Sequence, residues 1–93
     1  MGVSKHEHHT NMILPTIHRN GTSAKDLQQG YDTAADALYA LEQALNKIEF
    51  NARDYYVQHD LAWTQANAER QAINAKVKDV SAYLQEIREH LYA

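Results

Sequence analysis

From Leu27 onward, apolar positions recur in alternating steps of four and three: Leu27, Tyr31, Ala34, Leu38, Leu41, Leu45 and Ile48. That spacing lays them along one stripe of an α-helix in a heptad-like seam, and it predicts a first helix over residues 23–49. The pattern then fails. Residues 50–60 read Phe-Asn-Ala-Arg-Asp-Tyr-Tyr-Val-Gln-His-Asp, polar and aromatic together, which predicts a connection about as long as connections run without structure of their own. The repeat resumes with Trp63, Ala66, Arg70, Ile73, Val77, Val80, Leu84, Ile87 and Leu91 and predicts a second helix over residues 61–92. Arg70 is its one polar member.

Two seams of similar length joined by a short connection pack on each other antiparallel, so the expected fold is all-α, a long helical hairpin. Each seam stays open at its edges and leaves Tyr31, Tyr39, Trp63 and Tyr83 half-exposed. Alanines on both helices (Ala35, Ala37, Ala40 and Ala44 on the first) leave small flanks suited to further close contacts. A homo-oligomer is expected on that ground, most simply a dimer forming a four-helix bundle. Gly30 weakens the first helix by about 1 kcal/mol relative to alanine; it either admits a closely approaching helix or has no role.

Local signals fix the ends. Asn20-Gly21 marks a tight turn, and Thr22 or Ser23 suits an N-cap. Ser23 with Asp26 three positions on imitates a capping box. Asp60 suits the N-cap of the second helix. Upstream, Ile13, Leu14 and Ile17 around Pro15 predict an extended segment lying on something apolar. Residues 1–12 are polar and predict a disordered extension, leaving residues 13–93 as the hairpin domain.

Composition narrows the functions. The 93 residues suit one domain, and the absence of cysteine excludes disulfides and thiolate chemistry. No apolar run reaches the roughly 20 residues of a membrane span, and no secretory h-region opens the chain, so a cytoplasmic protein without membrane partners is expected. Nine basic against twelve acidic residues give a formal charge of −3. No basic stripe is present to displace counterions, which argues against polymeric nucleic acid. A small phosphate-bearing ligand needs only one or two arginines and some backbone amides.

Several clusters invite a chemical reading. His6, His8 and His9 have a chelating spacing, although polar tails often carry such histidines to no purpose. Asp32 with Asp36 suggests a bundle metal site, but that site needs Glu-x-x-His, and Glu86 meets His90 at the fourth position instead. A solvated face explains these acids better, and no metal or cofactor is expected. The turn formed by His18, Arg19, Asn20, Gly21, Thr22 and Ser23 places hydroxyls and an arginine at a helix N-terminus, where free amides favour anions. Turn and cap chemistry explains most of it, though capping requires neither His18 nor Arg19. In the connection, Tyr55 and Tyr56 offer flat surfaces for a base, and Arg53 offers a bidentate anion contact. The plainer account has Phe50 and one tyrosine plugging the bundle while Arg53 pairs with Asp54. A helix of this length holds the two segments about 39 Å apart, so one site using both must draw them from different subunits.

Those segments, Ile17-His18-Arg19-Asn20-Gly21-Thr22-Ser23 and Asn51-Ala52-Arg53-Asp54-Tyr55-Tyr56, resemble the paired Ile-His-x-Asn-Gly-Thr-Ser and Asn-x-Arg-Asp-Tyr-Tyr motifs of a family of small phage and prophage helical proteins. The resemblance covers about residues 13–93. It departs after Tyr56, where Val57-Gln58-His59 stands in place of Pro-Gln-Gly. It implies a phage source and a bacterial host cytoplasm, and it supplies no activity. By analogy with small oligomeric phage proteins that sequester immune second messengers, the expectation is a non-catalytic counter-defence protein. It would bind a cyclic nucleotide or ADP-ribose-type ligand between subunits through His18, Arg19, Asn20, Gly21, Thr22, Ser23, Arg53, Tyr55 and Tyr56. The alternative is a protein–protein interaction or structural phage protein with no small-molecule ligand. No nucleophile–base pair, metal box or phosphate loop suggests an enzyme.

Overall fold

A computed structural model describes residues 12–93. His6, His8, His9 and nearly all of the expected N-terminal extension lie outside those residues. The described chain is all-helical: α1 spans Ala24–Asn46, a single 3-10 turn spans Ala52–Asp54, and α2 spans Ala62–Tyr92. Helix α1 starts where its cap chemistry places it. The Asp26 amide donates to Ser23 Oγ at 3.1 Å, and the Leu27 amide donates to the Ser23 carbonyl.

Helix α1 stops three residues short of the expected 49. The Lys47 amide bonds back to the Ala44 carbonyl at 3.1 Å and Ile48 to Leu45 at 3.2 Å, a tightening that ends a helix in 3-10 style. The expectation for Asp60 is also corrected. Leu61 occupies the N-cap position of α2 with no side-chain cap bond of its own. A turn from the Ala62 amide to the His59 carbonyl instead aims His59 Nδ1 at the Leu61 amide, 3.3 Å away. His59 does the local capping, and Asp60 points into solvent.

The helices pair antiparallel. Gln28 Nε2 donates to the Leu91 carbonyl at 2.9 Å, and Arg88 Nε meets Asp32 Oδ1 at 2.9 Å. A groove at the far end joins Asn46 to Asn74 and Lys78. In this register, residues 62–73 of α2 run on past α1 by about 18 Å. The connection folds back over that overhang. At the other end, His90 Nε2 donates to the Pro15 carbonyl at 2.7 Å, which fastens the extended N-terminal segment to the last turn of α2.

The core is thin. Among the described residues only Ala62, Leu84, Ile87 and Leu91 are buried, with Ile87 at 1% exposure. Helix α1 sits slightly rotated from its expected seam: Ala35 and Glu42 are half-buried, whereas Ala34, Leu41 and Ile48 face out. Leu41, Ile48, Ile73 and Val80 are each about half exposed. The radius of gyration is 18.6 Å, against about 12 Å for a globule of this length. Gly30 faces open space, with nothing within 4 Å of where a Cβ would stand. Nothing inside the hairpin requires glycine there.

Candidate functional site

The N-terminal segment closes as a turn. The Gly21 amide donates to the His18 carbonyl at 3.0 Å. A Cβ on Gly21 would lie 2.7 Å from His18 Nε2, so the absent side chain is what lets the imidazole fold down on its own turn. Gly21 does not have a positive φ; close approach, rather than left-handed backbone, accounts for it. His18, Arg19, Asn20, Gly21, Thr22 and Ser23 are all exposed. Ser23 Oγ is committed to capping. Arg19 and Thr22 make no side-chain hydrogen bond or ion pair among the described residues. Both precede α1 by a few residues in the chain, and the first amides of a helix favour an anion.

In the second segment the two tyrosines separate. Their amides both bond to the Ala52 carbonyl at 2.9 Å, and the turn sends the side chains to opposite sides. Tyr55 packs inward: its ring lies 5.8 Å from Phe50 edge-on and 5.8 Å from Trp63, while Phe50 lies 4.9 Å from Trp63. The Arg70 guanidinium caps the Phe50 ring at 4.2 Å. A cation over an aromatic face is favourable, so the one polar residue in the α2 repeat is accounted for. Tyr56 points out at 67% exposure. Arg53 is also exposed and forms no ion pair with Asp54. Tyr55 is thus mainly structural, whereas the side chains of Arg53 and Tyr56 have no partner among the described residues.

The two segments lie at opposite ends of the hairpin, and one chain does not bring them together. The depressions along it are open grooves. One, of about 400 Å³, is lined by Glu42, Gln43, Asn46 and Lys78 together with Leu45 and Val77. Among the described residues no cluster of three or more metal-ligating side chains occurs, and no helix is long and apolar enough to cross a membrane.

A clamp that no sequence pattern signals joins the two helices. Asp32 accepts from Arg88 through one oxygen and from the Tyr92 hydroxyl through the other. The two bonds, from Tyr92 first and Arg88 second, hold the Asp32 carboxyl below the ordinary carboxylate range, while Asp32 in turn raises the Tyr92 phenol. On the other side of the hairpin, desolvation raises the Tyr31 phenol, aided by its hydrogen bond with Tyr83. An Asp and an Arg 56 positions apart cannot be matched before the helix register is known.

No family model, no characterised protein and no solved structure matches the chain.

Proposed function

We propose that the protein is a non-catalytic binding protein that captures a small nucleotide-type anion at sites shared between subunits. The observation that carries this is the state of Arg53 and Tyr56. Both are held on a loop anchored by the aromatic cluster, and both are exposed without a partner among the described residues. A guanidinium and a free phenol face on one loop suit a phosphate and the base it carries. Arg19 and the first amides of α1 supply a second phosphate contact of the same kind. In this reading Tyr56, rather than Tyr55, stacks on the base. By analogy of size and architecture with small oligomeric phage proteins that sequester immune second messengers, the ligand class is a nucleotide signal of bacterial immunity and the effect is sequestration.

The test is a melting curve of the pure protein with cyclic dinucleotides, cyclic trinucleotides or cyclic ADP-ribose isomers. A ligand at about 100 times its dissociation constant adds about 2.7 kcal/mol of stability. Arg53→Ala removes that gain and leaves the free protein's melt unchanged. Ligand recovered intact after denaturation marks capture, and a cleaved one overturns the non-catalytic reading. If no member of the panel shifts the melt, the alternative gains: an interaction protein whose exposed apolar residues dock on another protein.

A further inference from the structure

Helix α1 carries a second heptad stripe, separate from the seam it packs on α2. Gly30, Ala34, Ala37, Leu41 and Ala44 follow one another in steps of four and three along α1, Ile48 continues the spacing two residues past its end, and every one is exposed. At 3.6 residues per turn they form a single stripe about a quarter turn from the seam. The charged residues within α1 beyond its first turn, Asp32, Asp36 and Glu42, all fall elsewhere on the helix. Across the groove on the same side, α2 adds the half-exposed Ile73, Val80 and Tyr83, with the exposed Lys76 in the same row between Ile73 and Val80.

The sizes along this stripe match under reversal. Turning the stripe end for end about its midpoint sets Gly30 against Ile48, Ala34 against Ala44, and Ala37 against Leu41. Each large side chain meets a small one, as close helix packing needs. A parallel arrangement would instead set Ile48 on Ile48 and leave Gly30 facing Gly30. The match also explains the glycine whose Cβ position meets nothing within the hairpin.

We infer that the occupant of this face is a second copy of the same chain, its α1 antiparallel to the first about a two-fold axis at the level of Tyr39. This side, apolar apart from Lys76 in the row formed by Ile73, Val80 and Tyr83, is about 27 Å long and about two helix widths across. It covers on the order of 500 Å² per chain, and the pair reaches the roughly 1,000 Å² that is the lower bound for a specific interface. An isologous contact of this kind closes on itself and does not propagate.

The pairing also positions the two candidate segments. Ser23 lies about 24 Å from the axis along α1. On the other side of the axis, the stretch of α2 at Ala62 and Ala66, against which Tyr55 and His59 lie, sits at about the same height. The 18–23 turn of one chain therefore comes level with the connection of its partner, twice per dimer. This deepens the proposed function, which rests on shared sites; the pairing itself needs no ligand.

Light scattering across a concentration series tests it on the full chain. The expected mass is about twice the 10.6 kDa of one chain, and Leu41→Glu returns it to one chain with helical circular dichroism unchanged. Gly30→Ile, which places two large residues opposite each other, likewise gives monomer. Gly30→Ile combined with Ile48→Gly restores the dimer. A wild-type chain that stays monomeric throughout overturns the inference, as does a Gly30→Ile chain that associates as tightly as wild type. A dimer that binds no nucleotide leaves the pairing standing and removes the proposed ligand. A Leu41→Glu monomer that binds nucleotide as well as wild type removes the shared site.

Discussion

At the scale of single residues, stability concentrates at very few positions. Ile87 is the most deeply buried side chain described, and it lies between the helices in a core with little else to hold it. Ile87→Ala is expected to cost about 2–4 kcal/mol, whereas Ser23→Ala costs about 1 kcal/mol through the lost cap. Urea unfolding of the two variants should show that ranking. Asp32 gives a pH dependence whose sign follows from its bonds. Its carboxyl titrates lower in the folded chain than in the unfolded one, so its contribution is present above the ordinary carboxylate range and disappears as pH falls through the folded value. Wild type should melt above Asp32→Asn at neutral pH, and the two curves should converge in acid. Tyr92 behaves oppositely: its raised phenol favours the folded state below the ordinary tyrosine range, and that gain is lost as pH rises through the folded value.

At the scale of elements, the hairpin was legible and its ends less so. Heptad spacing identifies two helices because period alone separates a helix stripe from everything else. It does not reveal rotation about the helix axis. Ala34 and Leu41 lie only a fraction of a turn from Ala35 and Glu42, and the packing partner chose the latter pair. Asp60 was a sound N-cap by type, yet the turn before α2 gave the job to His59. Of the candidate site, the Asn20-Gly21 turn and the Ser23 cap were legible, but whether Arg53 pairs with Asp54 and the different roles of Tyr55 and Tyr56 were not. That difference depends on which way a 3-10 turn faces, and adjacent tyrosines look alike in sequence. The connection itself is expected to act as a small folded unit. Trp63, the single tryptophan, packs on Phe50 and Tyr55, so Phe50→Ala should shift its fluorescence to longer wavelength with little loss of helicity. An unshifted spectrum would mean that Trp63 is already open to water.

At the scale of the whole molecule, the hairpin has two unlike sides. One carries the Asp32–Arg88–Tyr92 clamp and polar grooves, which need no cover. The other exposes Leu41, Ile48, Ile73 and Val80, and its α1 stripe is matched in size to its own reverse. Antiparallel pairing accounts for that side, for Gly30, and for two unpartnered segments that a single chain holds apart. The chain's lack of cysteine permits a direct test of the orientation. Chains carrying Ala34→Cys and Ala44→Cys, mixed under mild oxidation, should form a disulfide-linked heterodimer, since a disulfide needs Cβ atoms within about 4.5 Å. Antiparallel pairing predicts ready cross-linking in the mixture and little in either variant alone. Cross-linking of Ala34→Cys chains to themselves, with none in excess in the mixture, would contradict it.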